Sequence, residues 1–282
     1  MSFFTEPLAF EFMRQALIMA AIVAAPCSLL SCYLVLKGWA LMGDAVSHSV
    51  LPGVVLAYIT GVPLLIGAFA AGLFCALATG FVTDNSRVKQ DTVMGVVFSG
   101  MFGMGLVLYT SIETAVHLDH ILFGDILGVT WGDITQTGII AALVTFGLMI
   151  WRKDLLVHAF DPNHASALGF RTGWLHYGLL VALSLTIVAT LKAAGLILAI
   201  AFLIAPGAVA FLMTRTFRAM MLVALLVSTS SSVLGVLWAF HIDSAPAPTI
   251  VVVMTTAFVL AFLFAPQRGL LRRTGPSESA GQ

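Results

Sequence analysis

The sequence predicts an all-α polytopic membrane protein with about eight or nine transmembrane helices. Of its 282 residues, 60% are hydrophobic and only 9% are charged, whereas a soluble domain carries about 25% charged residues. The apolar residues fall into runs of about 20, the length that an α-helix needs to cross a bilayer. A soluble fold of this size could not bury so much apolar surface, so we expect the chain to lie in a lipid membrane.

The breaks between the runs lie at charged residues and at clusters of glycine and proline. They divide the chain into nine candidate spans, at residues 15–36, 40–60, 63–83, 92–111, 134–151, 174–191, 196–214, 219–240 and 247–266. The second run is the weakest candidate because it contains Asp44, His48 and Pro52. Pro206 lies inside the seventh run and is expected to kink that helix, because proline removes one helical hydrogen bond.

The placement of lysine and arginine predicts the orientation of the chain. If the N-terminus faces outward, eleven of these residues fall on the inner side and two on the outer side, as the positive-inside rule requires. The C-terminus is then cytoplasmic. We treat residues 1–271 as a single transmembrane domain and residues 272–282 as a disordered cytoplasmic tail.

Two connections between the runs are too long to be simple turns. The outer one, residues 111–133, contains the apolar stretch HILFGDILG, which we expect to form a short helix against the membrane. Glu113, Asp119 and His120 in this connection are candidates for guiding cations, although a solvated loop is the simpler interpretation. In the inner connection, residues 154–172, Asp161 and Pro162 form a helix-start signal before HASALGF, which predicts a short helix ending near Gly169.

The motifs of several enzyme classes are absent from the sequence. No Gly-x-x-x-x-Gly-Lys-[Ser/Thr] nucleotide-binding loop occurs, and neither does Gly-x-Ser-x-Gly or His-Glu-x-x-His. Any ATP chemistry must therefore belong to another subunit, and we expect no enzymatic activity in this chain. The formal net charge is zero, which gives no indication of nucleic-acid binding.

The stretch GDAVSH, residues 43–48, is the pattern that most strongly indicates chemistry, because it lies in an otherwise apolar run. Asp44 and His48 are four residues apart and share one helical face, with Cβ atoms about 5–6 Å apart. Ionisable residues within membrane segments are costly and often mark ion pathways or proton relays. On spacing alone, a cation site and a proton relay are equally good interpretations, and a purely structural pair is the alternative to both.

A single helix offers too few ligands to close a metal site around one ion. Two chains that face each other would supply two carboxylates and two imidazoles. This mixed set of oxygen and nitrogen ligands suits Mn²⁺ or Fe²⁺ and tolerates Zn²⁺.

The run KGWALMGDAVSHSVLPGVVLAYITG, residues 37–61, resembles the signature of the permease subunits of metal-type ABC importers, which carry manganese, iron or zinc. Further similar stretches follow in the same order, and they are DTVMGVVFSGMFGMGLVLYT, DHILFGDILGVTWGD, FDPNHASALGF, KAAGLILAIAFLIAPGAVAFLMTRTF, HIDSAPAPTIVVVM and FLFAPQRGLL. The resemblance covers about residues 5–271 and is greatest to the manganese and chelated-iron branch.

The resemblance implies a permease dimer in a bacterial inner membrane, made of two copies or of two related permeases. It implies a pair of cytoplasmic ATPase subunits, an external metal-binding protein and no prosthetic group. It also implies that Asp44 and His48 bind the transported metal and that the inner connection docks into the ATPase through a coupling helix. The residues that would carry this docking are Phe160, Asp161, Pro162, His164, Ala165, Leu168 and Gly169.

The leading hypothesis is therefore the transmembrane subunit of an ATP-driven importer of Mn²⁺ or Fe²⁺ that works by alternating access. An importer permease for Zn²⁺ is the nearest alternative, because zinc relatives share much of the framework. A proton-coupled secondary transporter is a further alternative, but such proteins often contain inverted repeats, and we find no convincing repeat in the sequence. A membrane scaffold without transport activity is the last alternative, and it predicts that metal accumulation does not depend on Asp44 or His48.

Overall fold

The chain forms a bundle of α-helices, and its described residues contain no β-strand. This computed structural model describes residues 6–39, 41–111 and 126–265, apart from the side chains of Asp84, Lys192 and Ala193. The predicted tail at residues 272–282 and most of the predicted short outer helix lie outside the described residues. The main helices are α1 (Glu11–Lys37), α2 (Met42–Thr60), α3 (Leu64–Asn85), α4 (Gln90–Thr110), α5 (Trp131–Ile150), α6 (Arg152–Phe160), α7 (Pro162–Ala167), α8 (Thr172–Met213), α9 (Phe217–His241) and α10 (Pro246–Phe264).

Nine segments of the described chain are long and apolar enough to cross a membrane. Seven of them belong to α1–α5, α9 and α10, and the other two are the halves of α8, Thr172–Leu191 and Ala194–Met213. Each segment corresponds to one of the nine runs that the sequence predicts, including the second run with its polar residues. The prediction of an all-α polytopic membrane protein is confirmed.

Helix α8 is divided at Gly195, whose φ of 78° and ψ of 175° lie outside the helical region. This region of backbone conformation is essentially accessible only to glycine. The break falls where the sequence predicts the boundary between two spans. At Pro206 the dihedral angles of α8 stay helical, so the interruption lies at Gly195 and not at the proline.

A hydroxyl group from α1 provides hydrogen bonds next to Pro206. The Ser31 hydroxyl donates to the carbonyl of Ile204 at 3.2 Å and accepts from the amide of Gly207 at 2.9 Å. These bonds join α1 to the second half of α8 beside the proline. A Cβ atom at Gly207 would lie 2.6 Å from the Ser31 backbone, so α1 and the second half of α8 are in close contact here.

Helix α1 lies in the core of the bundle, where it packs against α5, α8 and α9. Methionine, leucine and tyrosine side chains along its whole length are fully buried, among them Met13, Met19, Leu30 and Tyr33. Burial along the whole helix, from Met13 to Tyr33, indicates that α1 lies mainly among other helices and makes little contact with lipid.

Helix α2 is held between α3 and α4 by contacts of small residues. Gly53 on α2 and Gly67 on α3 are so close that a Cβ atom on either would collide with the carbonyl oxygen of the other. A Cβ atom at Gly105 on α4 would lie 2.9 Å from the ring of Pro52. Small residues allow helices to approach closely in this way inside a membrane. The helix that carries Asp44 and His48 is therefore fixed by neighbours on two sides.

We predict that Gly195→Ala destabilises the protein by about 1–3 kcal/mol, because alanine is strained at these dihedral angles. The matched control is Gly173→Ala, at a position near the start of α8 where an added Cβ meets no atom within 4 Å. The control should not lower the stability of the protein, since alanine has a higher helix propensity than glycine. Thermal unfolding of the detergent-purified protein measures both variants. A Gly195→Ala protein as stable as the wild type would contradict a required break at this residue.

Candidate metal site

Helix α2 begins directly after the turn that ends α1, and this places Asp44 in the first turn of α2. Helix α1 ends at Gly38, which is in the left-handed conformation, and the Trp39 amide donates to the Leu34 carbonyl at 2.8 Å. No side chain caps the N-terminus of α2, which starts at Met42. The unpaired N–H groups and the dipole of a helix N-terminus favour a carboxylate. The first turn of α2 is therefore a favourable place for Asp44.

Asp44 and His48 contact each other, as their spacing predicts. The Nδ1 atom of His48 lies 3.1 Å from Oδ1 of Asp44 and 3.0 Å from the backbone carbonyl oxygen of Asp44. Since both partners are acceptors, the hydrogen-bond pattern assigns the proton to Nδ1. The lone pair of Nε2 is then available to a metal ion.

Two phenylalanine side chains of α4 pack against the ring of His48. The ring centroids lie 5.9 Å from Phe98 and 5.5 Å from Phe102, and the second contact is edge-to-face with an angle of 84°. These contacts and the bond to Asp44 together fix the orientation of the imidazole. The sequence analysis missed both residues, because an aromatic pair four residues apart on an apolar helix is also typical of ordinary packing.

The pair lies on a partly open surface of the chain. The side chain of Asp44 is 35% exposed and that of His48 is 26% exposed, whereas Ala45, Val46 and Ser47 between them are buried. Within the described residues, no third histidine, cysteine, aspartate or glutamate joins them to form a metal-binding group. Protein-bound transition metals take four or more ligands. A metal ion here would therefore need further ligands from water, from undescribed segments or from another subunit.

The geometry supports two kinds of chemistry. A carboxylate that accepts a hydrogen bond from one ring nitrogen orients the imidazole and raises the basicity of the other nitrogen, as is common around metal ions. The same pair could also pass a proton. A site with two ligands and an open side differs from a structural metal site, which is normally closed by four protein ligands.

The candidates for outer cation guidance, Glu113, Asp119 and His120, lie outside the described residues. Their role therefore stays a prediction.

The inner connection contains the short helix that the sequence predicts. The carboxylate of Asp161 accepts hydrogen bonds from the amides of Asn163 and His164, at 2.9 Å and 3.1 Å, and so caps α7. Pro162 occupies the first turn, where its missing N–H has no cost. After the helix, Gly169 adopts a φ of 84°, which ends the turn.

The side chains of α6 and α7 divide into a buried and an exposed set. Ala165 is fully buried, and Leu155 is 5% exposed. Phe160 and Leu168 are 68% and 57% exposed, although both are large and apolar. Exposed apolar side chains at the end of a helical bundle are suited to binding another protein.

His158 belongs to the buried set. Its side chain is 4% exposed, and neither ring nitrogen has a hydrogen-bond partner within the described residues. The ring lies edge-to-face against His176 of α8, with 6.2 Å between centroids. Burial, with smaller contributions from Lys37 and His176, lowers the pKa of His158 to about 4. His158 is therefore neutral at pH 7 and joins α6 to α8 as an uncharged packing residue.

Comparison with known proteins shows the family of this chain. A profile of the ABC 3 transport family matches residues 9–265, which is nearly the whole chain. The chain belongs to the ABC 3 transport family. The family match covers the transmembrane spans, the Asp44–His48 pair and the inner connection together.

Similar proteins occur in several bacteria. The chelated iron transport system membrane protein YfeD of Yersinia pestis is 54% identical over 263 residues, which are 93% of this chain and 89% of that protein. The manganese transport system membrane protein MntB of Synechocystis sp. is 46% identical over 277 residues, 96% of this chain and 90% of that protein. A solved structure of PsaBC from Streptococcus pneumoniae in complex with Fab matches with a TM-score of 0.86 and 34% identity, over 97% of this chain and 99% of that one.

These similarities confirm that the chain is a multi-pass membrane protein and a permease subunit of the metal-type ABC importers. ATP hydrolysis in this family belongs to a separate subunit, as the missing nucleotide-binding loop predicts. The roles of Asp44, His48 and the inner connection stay predictions.

We predict that the stability of the protein falls between pH 6.5 and pH 4 and that His158 contributes to the fall. A histidine in an unfolded chain has a pKa of about 6.5, whereas the pKa of His158 is lowered to about 4 by burial. Between these values the unfolded state binds more protons than the folded state, so protonation favours unfolding. The thermal unfolding temperature measured against pH should therefore fall less steeply in His158→Phe than in the wild type.

The control for this experiment is His164→Phe, which replaces an exposed histidine six residues away. Its profile should keep the slope of the wild type. If the His158→Phe profile ran parallel to that of the wild type from pH 6.5 to pH 4, the assignment of a buried neutral histidine would be wrong.

Proposed function

We propose that this chain is the transmembrane subunit of an ATP-driven importer of Mn²⁺, Fe²⁺ or both, and that the metal passes Asp44 and His48 at an interface between two permease subunits. The observation that carries the proposal is a carboxylate 3.1 Å from an imidazole, partly exposed, on a helix that can span a membrane. Ionisable side chains at such positions are rare and usually belong to a substrate pathway.

Donor atoms and relatives both support manganese or iron as the cargo. Asp44 and His48 offer carboxylate oxygen and imidazole nitrogen, and no cysteine joins them in the described part of the chain. Such a set suits Mn²⁺ and Fe²⁺, whereas soft thiolates would select other metals. The names of two relatives point the same way, because one refers to chelated iron and the other to manganese.

The open side of the pair supports a second permease subunit across the site. Helix α4, which packs on His48 through Phe98 and Phe102, also has a surface that nothing in the described chain covers: Val96 is 70% exposed, and a Cβ atom at Gly95 or Gly103 would meet no atom within 4 Å. Small residues on a lipid-facing surface let another helix approach closely. A second copy or a related permease there would add its own carboxylate and imidazole to the site.

The contacts of the inner connection support a mechanism of alternating access. ATP binding and hydrolysis in the cytoplasmic ATPase subunits would move α6 and α7, which contact α1 and α8. In one such contact, the Tyr33 hydroxyl on α1 donates a hydrogen bond to the Arg152 carbonyl on α6 at 3.4 Å. Movement of these helices would open the metal pair first to the outside and then to the inside.

The distribution of charge supports the orientation in a bacterial inner membrane. With nine spans, the basic residues of the short α3–α4 connection and of α6 fall on the same side as the C-terminus. This side is then the cytoplasm by the positive-inside rule. An external metal-binding protein would deliver the metal from the opposite side, where Glu113, Asp119 and His120 would guide the cation.

We predict that Asp44→Ala and His48→Ala each lower metal uptake by about 10- to 100-fold at equal expression, because each variant removes a ligand or the group that orients it. Uptake of labelled Mn²⁺ and Fe²⁺ by cells that express the whole transporter measures the effect. The matched control is Asp91→Asn, an exposed carboxylate in the first turn of another membrane helix, α4, which should leave uptake unchanged.

Three results would contradict the proposal. Normal uptake by either alanine variant would remove the metal pair from the pathway. Uptake by this chain alone in liposomes, driven by a proton gradient, would replace the importer with a secondary transporter. Stronger competition by Zn²⁺ than by unlabelled Mn²⁺ and Fe²⁺ would reassign the cargo.

We predict that Leu168→Asp weakens binding of the ATPase subunit by about tenfold or more, since a charge replaces an exposed apolar side chain at a protein interface. Co-purification of the ATPase with the tagged permease measures binding, and metal binding by the permease should be retained. Val88→Asp is the control, because Val88 is also apolar and exposed and lies in the α3–α4 connection predicted on the same side. Undiminished assembly of the Leu168 variant would rule out the coupling role.

A further inference from the structure

An apolar groove lies between α5 and α8, at the end of the bundle where α6 begins. Its volume is about 390 Å³, and aliphatic, glycine and tryptophan residues line it. They include Leu143 and Gly147 of α5, Trp151 directly after α5, and Trp174, Gly178 and Leu185 of α8. The groove is separate from the metal pair, which lies on α2 beside α4. Nothing in the proposed transport mechanism uses it.

The groove owes its depth to glycine residues on both of its walls. A Cβ atom at Gly178 would meet no atom within 4 Å, and one at Gly147 would meet only the ring of Trp151, at 3.7 Å. Larger residues at these two positions would fill the space between the helices. The next turns of α5 are also apolar and outward-facing, since Ile139 and Phe146 are 68% and 69% exposed. In a chain that spans the membrane, this surface faces lipid acyl chains.

Two tryptophan side chains lie at the mouth of the groove. Trp151 follows the last residue of α5 and is 56% exposed, and Trp174 lies in the first turn of α8 and is 77% exposed. Tryptophan is enriched at the level of lipid headgroups, because its ring is apolar and its N–H is a hydrogen-bond donor. The mouth of the groove therefore lies where the acyl chains of a lipid meet its headgroup.

Basic residues lie next to both tryptophan residues along the chain. Arg152 and Lys153 follow Trp151 directly, and Arg171 precedes α8, with its carbonyl accepting from the Trp174 amide at 3.0 Å. Lys153 and Arg171 are exposed, and Asp154 is the acidic residue in the same turn of α6. Three positive charges beside one negative charge attract an anionic headgroup more than a zwitterionic one.

We propose that this groove binds an anionic phospholipid, with one acyl chain along Gly147 and Gly178 and the phosphate beside Arg171 and Lys153. The apolar lining, the tryptophan pair and the basic mouth follow each other in the order of acyl chain, interface and headgroup. This order matches the parts of a phospholipid, whereas an interface with a second protein subunit does not require it. The proposal does not depend on which metal is carried, and its test is independent of the test of Asp44 and His48.

The test uses the whole transporter, purified in mild detergent with its ATPase and any second permease. Native mass spectrometry counts the lipids bound after incubation with phosphatidylglycerol or with phosphatidylcholine of the same acyl chains. We expect the wild type to retain phosphatidylglycerol more than phosphatidylcholine. Gly178→Leu fills the groove and should lose most of the bound lipid of both kinds. The double variant Lys153→Gln with Arg171→Gln should lose the preference for phosphatidylglycerol while it keeps the binding of phosphatidylcholine.

The matched control is Gly173→Leu, on the same helix and also at a position where an added Cβ meets nothing within 4 Å. It lies five residues before Gly178 and so points to a different side of α8, about 140° away, and it should retain lipid as the wild type does. Equal lipid retention by Gly178→Leu and the wild type would overturn the proposal. Loss of a permease subunit from the Gly178→Leu complex, with lipid binding unchanged, would overturn it too and would assign the groove to a protein partner.

A second measurement does not depend on the folding of a groove-filling variant. Phosphatidylglycerol with brominated acyl chains quenches tryptophan fluorescence on contact, and brominated phosphatidylcholine serves as the reference. We expect stronger quenching by phosphatidylglycerol in the wild type, and the difference should largely disappear in the double variant Trp151→Phe with Trp174→Phe. Equal quenching by the two lipids in the wild type would contradict the proposal.

Discussion

The contact between Asp44 and His48 is the interaction on which the rest of the site depends. Because Nδ1 of His48 is within hydrogen-bond distance of both the carboxylate and the backbone carbonyl of Asp44, the ring cannot turn without losing both partners. The contact exists only while α2 stays helical through this first turn. The short turn after Gly38 therefore decides the position of the site, since it sets where α2 begins. A carboxylate in this place also interacts favourably with the dipole at the N-terminal end of its own helix.

The packing of α2 explains how such a polar pair keeps one geometry inside an apolar bundle. The backbones of α2 and α3 touch at Gly53 and Gly67, and Pro52 lies against Gly105 of α4. Contacts between backbones leave no side chain that could change rotamer, so α2 moves only together with α3 and α4. The aromatic wall behind His48 belongs to α4 and would move with it. Asp44 and His48 thus share one closely packed unit with the aromatic side chains that orient the imidazole.

The sequence predicts the spans and the polar pair because both depend on local patterns. Nine apolar runs, the break before Gly195 and the cap at Asp161 can each be read from a few neighbouring residues. The burial of His158 against His176 and the packing of Phe98 and Phe102 on His48 depend on contacts between distant segments, so a single sequence does not reveal them. Pro206 shows the same limit, because the Ser31 hydroxyl that bonds beside it comes from another helix.

Helix α8 contacts both the helices of the inner connection and α2, which carries Asp44 and His48. Its first half carries His176, which packs on His158 of α6, and its second half carries Leu203, which would lie 3.0 Å from a Cβ at Gly43, next to Asp44. Between these two contacts lies the break at Gly195, where the backbone leaves the helical dihedral angles. A helix that was continuous would transmit a displacement of α6 as a rigid rod. In the proposed mechanism, the break would instead allow the second half, which is bonded to α1 through Ser31 and Gly207, to keep its packing while the first half follows α6. In the proposed mechanism, the glycine at this single position would therefore control how motion at the inner connection reaches Asp44.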